Sequence, residues 1–351
     1  MTALPLGSTI GILGDGQLGR MLAGAAARLG FDVVILGPGD HSPASRVAAH
    51  AIQADYTDKD ALAEFSVRSD LVTLEFENVP VSALNMLLDM GATVHPGPKS
   101  LEICQDRHFE KSFARETGVP TADYWVVDSV DDLRAAMREL QGGGILKTRR
   151  DGYDGHGQRR LKSGDDPITV YGDLDGVPCI LEAMVPFAGE VSVVLARSAT
   201  GEIKAYDPAE NVHTNGILHT SRVPARFDEA VLKSAQSAAT QLITALGHVG
   251  VLACEFFVLE DGGLLLNEMA PRVHNSGHWT PEACLTGQFE QHIRAIAGWP
   301  LGPTDRLFDA EMENLLGEDI YKPLAPGDMV TLYGKREARA GRKMGHVVRK
   351  T

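Results

Sequence analysis

The sequence predicts a chain of mixed α/β and α+β class, with a parallel-sheet domain over residues 1–104, an α+β domain over 105–300 and a small β-rich subdomain over 301–351. Three observations carry that expectation: a strand, glycine loop, helix and strand at the start, a basic glycine-rich segment between strand patterns in the middle, and short alternating runs at the end. Taken in order, residues 9–13 form an apolar strand. A loop containing Gly14, Gly16 and Gly19 follows, then the alanine-rich helix MLAGAAARLG and a second strand at 32–36. This βαβ start implies a Rossmann-like open sheet, which binds ligands at the carboxyl ends of its strands. SDLVTLEFENVP reads as a further buried strand ending in acids, and GATVHPGP as a short strand before a turn.

The spacing Gly14-x-Gly16-x-x-Gly19 fits a dinucleotide fingerprint, which also requires an acid closing the second strand. That position reads Leu36-Gly37-Pro38-Gly39, with only Asp40 nearby, so a nicotinamide or flavin dinucleotide is disfavoured. Two readings stay open. The loop offers backbone N–H groups to another anion, such as a single phosphate, or its glycines serve only close strand–helix packing.

Turn residues Pro96-Gly97-Pro98 mark a boundary before a helix carrying Arg107, Lys111 and Arg115. In GGGILKTRRDGYDGHGQRRL a strand ends at Lys147 and a glycine-rich loop spans 151–157. Small residues let N–H groups approach phosphates and a lysine adds a point charge, so the segment suits a phosphate lid, with a charged surface hairpin as the alternative. The Walker spacing is absent. VPCILEAMV reads as a strand ending in Glu182, and GEVSVVLARS as one beginning at Glu190. Residues 228–246 form an amphipathic helix capped by Gly247, and GVLACEFFVLE a strand after it. GDMVTLYGKREARAGRKMGHVV alternates like two short strands around a charged turn.

Composition excludes several classes. At 351 residues, 44% hydrophobic and 23% charged, the chain is long enough for two or three cores. A formal charge of −14 opposes attraction to a nucleic acid polymer or an anionic membrane, so any anionic ligand needs a local cationic cluster. The start MTALPLGSTIGILG lacks a basic n-region, and no run approaches 18 uncharged apolar residues, which reads as cytoplasmic. Cys104, Cys179, Cys254 and Cys284 make no CxxC pair and read as buried small hydrophobes.

The segment EFFVLEDGGLLLNEMAPRVHNSGHW, residues 255–279, is the most telling. With Asp261-Gly262 as a two-residue hairpin loop, Glu255 lies opposite Glu268 on one face. Opposed Cβ atoms sit roughly 5 Å apart, where like charges repel unless a partner such as Mg²⁺ neutralises them. A one-residue change in the loop puts the acids on opposite faces, and a hairpin whose acids simply face water is the bland alternative. His274 and His278 have an H-x-x-x-H spacing, but Ser276 and Gly277 between them favour a loop over a zinc-binding helix face.

The lysine strand, glycine loop, Glu182 strand, Glu190, helix and Glu255/Asn267/Glu268 hairpin, in that order, resemble the ATP-grasp fold, so the central domain is expected to be an ATP-grasp domain. GDGQLGRML, GYDGHGQ, NVHTNGILHTS, NEMAPRVHNSGHWT and GRKMGH are similar to the N5-carboxyaminoimidazole ribonucleotide synthetase family of purine biosynthesis. Members of the family generally continue with another helix and strand after GRKMGH, whereas this sequence stops at Thr351.

The resemblance implies ATP and Mg²⁺ as cofactors, and 5-aminoimidazole ribonucleotide and bicarbonate as substrates. Carboxyphosphate is the implied intermediate and a homodimer the implied assembly. Another ATP-grasp ligase with a different ribonucleotide or carboxylate substrate is the alternative. For ATP the resemblance points to Arg107 and Lys147 on phosphates, to Gly152, Tyr153, Asp154, Gly155, His156, Gly157 and Gln158 folding over them, and to Glu182, Ala183, Met184 and Val185 at adenine. Glu190 would take the ribose hydroxyls, His213 would lie by the nucleotide, and Glu255 and Glu268 would bind the metal beside Asn267. For the ribonucleotide it points to Gln17, Leu18, Glu77, Tyr153, Asp154, Arg272, His274, Asn275, Lys335 and Arg342, with Asp154, Arg272 and His274 as the catalytic set and Asp154 receiving or orienting the amine proton.

Overall fold

The computed structural model describes residues 3–140, 142–152, 156–162 and 164–351. The chain opens with strand β1 (Thr9–Leu13), helix α1 (Gln17–Arg28), β2 (Asp32–Gly37), β3 (His50–Gln53), α2 (Lys59–Val67), β4 (Leu71–Leu74) and α3 (Val81–Asp89). The strands form a parallel sheet in the order β3-β2-β1-β4, with Ile10 facing Val33 on one side and Leu71 on the other. Inner strands of such a sheet are covered on both faces, hence the buried apolar runs of β1 and β2. The expected strand at GATVHPGP is reduced to a single bridge between Val72 and Val94.

Helices α4 (Pro98–Gln105) and α5 (Arg107–Glu116) lead into a second unit: β5 (Tyr124–Val127), α6 (Val130–Glu139), β6 (Gly144–Thr148), β7 (Gln158–Arg160), α7 (Pro167–Gly172) and β8 (Cys179–Ala183). Its four strands pair antiparallel in the order β5-β8-β6-β7 over a separate small core around Leu133, Leu146 and Leu181.

The rest builds one large antiparallel sheet from β9 (Gly189–Arg197), β10 (Ile203–Ala205), β11 (Ala209–Thr214), β12 (Ile217–Val223), β13 (Gly250–Val258), β14 (Leu264–Ala270), β15 (Ala310–Leu316), β16 (Met329–Leu332) and β17 (Lys343–Lys350). Its order is β14-β13-β9-β11-β12-β15-β17-β16, with β10 added beside β9. The last three strands therefore extend the central sheet, with β15 joining β12 through Ser221↔Met312, and GRKMGH feeds into β17.

Helix α8 (Glu229–Leu246) lies on this sheet through Ala235, Ala239, Leu242, Ile243 and Leu246, the 3.6-residue stripe of an amphipathic helix. It ends at Gly247, whose φ of 64° is the left-handed cap that glycine accepts without penalty. Across the sheet, α9 (Thr280–Ala283) and α10 (Gln288–Ile296) follow the acidic hairpin, and α10 packs against α1. One apolar cluster accordingly holds Leu22 and Ala26 of the first domain, Ile293 and Ile296 of α10, and Met312 and Val348 of the closing strands. No helix among the described residues is long and apolar enough to cross a membrane.

Candidate active site

The acidic hairpin forms, by a different route from the expected one. Leu259 N–H donates to Gly263 O, leaving a three-residue loop closed by Gly262 at φ 82° in place of the expected Asp261-Gly262 turn. Near the loop the register is Val258↔Leu264 and Phe256↔Leu266, which, continued, would set Glu255 against Asn267 and turn Glu268 to the other face. A β-bulge intervenes between Glu255 and Phe256, and Glu255 pairs with Glu268 after all. Asn267 is the extra residue, and its carbonyl accepts a hydrogen bond from Lys111 Nζ at 3.3 Å.

Glu255 is buried, and burial together with Glu268 pushes its carboxyl up to about 7, against a smaller opposing pull from His213. His274 Nδ1 lies 3.6 Å from Glu255 Oε1, and Glu255, Glu268 and His274 offer ligand atoms all within 4.8 Å of one another. Two carboxylates on one face suit a hard divalent cation such as Mg²⁺, while an imidazole nitrogen is its poorer ligand. Glu190, at the start of β9, hydrogen-bonds His213 Nδ1. Burial opposes the His213 charge, but that carboxylate holds its pKa above the ordinary value.

Cationic groups come from α5 and the small sheet, one against Glu268 and two against Glu182. Arg107 Nη1 lies 3.7 Å from Glu268 Oε2, and its Nη2 donates to Gly152 O at 3.4 Å. Lys147 Nζ sits 2.7 Å from Glu182 Oε2, and Lys111 Nζ 3.1 Å from Glu182 Oε1. Burial alone would raise the Glu182 carboxyl, but Lys111 and Lys147 together bring it down to about 2. Burial lowers Lys147 below the ordinary lysine value despite Glu182. The Glu182 carboxylate is thus committed to two lysines. Ala183 and Met184 donate their N–H groups to Asp123 O and Gly143 O, and Val185 is half-buried.

The ATP-grasp domain family matches residues 112–289, the ribonucleotide synthetase preATP-grasp domain 7–105, and the phosphoribosylaminoimidazole carboxylase C-terminal domain 310–349. The N5-carboxyaminoimidazole ribonucleotide synthase of Brucella melitensis is 54% identical over 99% of this chain and 98% of its own length. This chain belongs to the N5-carboxyaminoimidazole ribonucleotide synthase family. The Bacillus subtilis synthase is 43% identical over 97% of the chain and 91% of its own length. The solved structure of an N5-carboxyaminoimidazole ribonucleotide synthetase with ADP superposes with a TM-score of 0.96 at 44% identity, covering 100% of this chain and 94% of that one. The Aspergillus clavatus synthase, solved with ADP and 5-aminoimidazole ribonucleotide, superposes at 0.89 with 29% identity, covering 98% and 94%.

Within this synthase fold the glycine loop already holds an anion from its own chain. Gly16 and Gly19 N–H groups donate to Glu75 Oε1 and Oε2, both at 3.0 Å. A Cβ at Gly14, whose φ is 112°, would lie 2.4 Å from Glu75 Cγ. The buried Glu75 thus takes up the N–H groups that a dinucleotide or single phosphate would need, and burial raises its pKa against those two hydrogen bonds. Gln17 and Leu18 open α1 beside it, Leu18 buried and Gln17 half-buried.

The residues expected at the ribonucleotide are only partly gathered. Both nitrogens of the Arg272 fork engage Glu77 in close ion-paired hydrogen bonds that tie the first domain to the hairpin's exit. Burial would raise Glu77, and Arg272 holds it below the ordinary range. Asn275 exchanges amide hydrogen bonds with Asn314 of β15, at 2.9 and 2.8 Å. Lys335 donates to Lys343 O at 2.7 Å and Arg342 to Glu337 O at 3.1 Å, in the closing strands' connection. His274 and His278 lie on a loop with a single 3₁₀ turn at Asn275–Gly277. His156, Gly157 and Gln158 enter β7, with His156 and Gln158 exposed, while Tyr153, Asp154 and Gly155 lie outside the described residues.

Two contributors, Lys111 and Glu75, lie outside the expected set of site residues. Lys111 follows Arg107 by four residues on α5, the spacing that puts both on one face, so its signal was present. Glu75 carries no local signal, because what identifies it is a contact across 56 to 59 residues.

Proposed function

We propose that this chain carboxylates the exocyclic amine of 5-aminoimidazole ribonucleotide, consuming ATP and bicarbonate and releasing N5-carboxyaminoimidazole ribonucleotide, ADP and phosphate. A bicarbonate oxygen attacks the γ-phosphorus, the bond to the β-phosphate oxygen breaks, and carboxyphosphate forms. The amine nitrogen then attacks the carboxyl carbon, directly or after CO₂ is released. Phosphate leaves and the amine gives up a proton. Phosphoryl transfer of this kind demands positioning and charge neutralisation more than covalent help. The observation that carries the reading is the Glu255/Glu268 pair on one face, with Arg107 against Glu268 and with Lys111 and Lys147 gathered at Glu182.

Glu255 and Glu268 are the residues that would hold Mg²⁺, which would neutralise phosphate charge. Arg107 and Lys147 would bind the phosphates, Glu190 and His213 would meet the ribose, and residues 182–185 the adenine. The Glu182 carboxylate, occupied by two lysines, would orient them as well. Arg272 and His274 are proposed to act at the ribonucleotide, and Asp154 to take or orient the amine proton. Gln17, Leu18, Glu77, Lys335 and Arg342 would bind the same nucleotide. For Asn275 the pairing with Asn314 supports a role in holding its loop. We place the domains at 1–104, 105–300 and 301–351, and the enzyme in the cytoplasm as a homodimer.

The test is ADP release with and without bicarbonate and 5-aminoimidazole ribonucleotide. Strict dependence on both supports the assignment. Turnover that needs neither, or that prefers another ribonucleotide or carboxylate, rejects it in favour of a different ATP-grasp ligase.

A further inference from the structure

The loop that carries His274 is held by one buried amide. Gln288 opens α10 and is fully buried. Its Oε1 accepts the main-chain N–H of His274 at 2.9 Å, and its Nε2 donates to the carbonyl of the same residue at 2.7 Å. One side-chain amide therefore closes both hydrogen bonds of a single residue's backbone, as a neighbouring strand would. The same Nε2 lies 2.9 Å from His278 Nδ1. The Gln288 N–H donates to Thr280 Oγ1, which in turn donates to Gly277 O at 2.6 Å, so the helix end and the loop are laced together.

The His274 ring is fixed independently. Ser276, fully buried, donates its N–H to His274 Nδ1 at 3.3 Å and brings its hydroxyl within 2.9 Å of that nitrogen. Backbone held by Gln288 and ring held by Ser276 leave His274 one orientation beside Glu255. Gly277 is part of this arrangement, since a Cβ there would stand 2.7 Å from Gln288 Oε1. Only a residue without a side chain lets the amide pass.

We propose that Gln288 is a positioning residue for the reaction, acting through the His274 backbone, and that Gly277 is glycine so that this amide can reach it. The inference rests on the assignment of His274 to the ribonucleotide site. A buried amide in this role acts on the step in which His274 takes part and leaves ATP binding alone.

Two substitutions approach the amide from opposite sides. Gln288→Met removes both hydrogen bonds at nearly constant volume. Gly277→Ala leaves Gln288 in place and displaces its flexible end, a small burden on the fold. In each, kcat/KM for 5-aminoimidazole ribonucleotide should fall by between about tenfold and a hundredfold, the scale of a displaced reacting group, with KM for ATP unchanged within about twofold. A folded variant with wild-type kcat/KM for the ribonucleotide, or one whose ATP KM rises in parallel, overturns the proposal. Amide hydrogen exchange on the wild-type enzyme decides independently of how the variants fold. The His274 N–H should be protected like strand β14, and exchange as fast as an exposed loop rejects the clamp. If the wild type shows no dependence on the ribonucleotide, the functional assignment fails, while the exchange result still judges the clamp by itself.

Discussion

Replacing Glu182 with Gln isolates the strongest electrostatic commitment in the site. The carboxylate is buried between Lys147 at 2.7 Å and Lys111 at 3.1 Å, joining a strand of the small sheet to α5. Its descent from the ordinary 4.5 to about 2 corresponds to about 3 kcal/mol favouring the charged form, at about 1.4 kcal/mol per pH unit. Breaking a buried pair by removing one partner costs about 3–5 kcal/mol by mutational precedent, so the two routes agree. Because the folded-state value is depressed, this stability is present above pH 4.5 and is lost as the pH falls towards 2. Urea denaturation at pH 7, followed by tryptophan emission with Trp125 on the strand next to β8, should show Glu182→Gln destabilised by about 3 kcal/mol. Adding Lys111→Met should recover part of the loss, since an apolar replacement removes one uncompensated buried charge. A single variant within about 0.5 kcal/mol of wild type, the range of ordinary surface substitutions, refutes the triad as described.

Other outcomes follow from the same structure. Glu75→Ala should lower stability by about 2 kcal/mol, the upper end for a lost helix cap, and inorganic phosphate should raise the melting temperature of that variant but not of the wild type; equal phosphate response in both would show that the loop is open without the substitution. His292 is fully buried, accepts the Val251 N–H at 3.0 Å and meets Thr73 Oγ1 at 2.8 Å, and burial pushes its pKa down to about 3. Below pH 6.5 the unfolded chain takes up a proton that the folded chain refuses, so His292 costs stability as the pH falls towards 3. Between pH 6 and 4 the wild type should lose about 1.4 kcal/mol per pH unit more than His292→Gln, read as the difference in urea-derived stabilities, and parallel pH profiles would contradict this.

What the sequence made legible follows the range of the forces involved. The β1–α1–β2 start, the amphipathic α8 with its Gly247 cap, and the strands carrying Lys147, Glu182 and Glu190 are written in local periodicity; the strands and α8 fold within a residue or so of it, while α1 begins at Gln17, four residues before MLAGAAARLG, and takes Gly19 into its first turn. The acidic pair was foreseen with the wrong turn. A three-residue loop shifts the register by one and the bulge at Asn267 shifts it back, two opposite errors that only the finished ladder reveals. Contacts across long stretches of chain stayed hidden: Glu75 in the glycine loop, Glu77 against Arg272, Asn314 against Asn275. Each is a polar side chain whose partner is chosen by the packing of separate segments, and neither composition nor spacing encodes that choice.

The most direct measurement is a crystal of the protein grown with ADP and Mn²⁺, with the metal located by its anomalous signal. The expected result is a metal peak about 2.1 Å from oxygens of both Glu255 and Glu268, with the nucleotide phosphates completing its shell and Arg107 and Lys147 beside them. A metal bound to neither carboxylate, or to one alone with the other turned to solvent, contradicts the shared site.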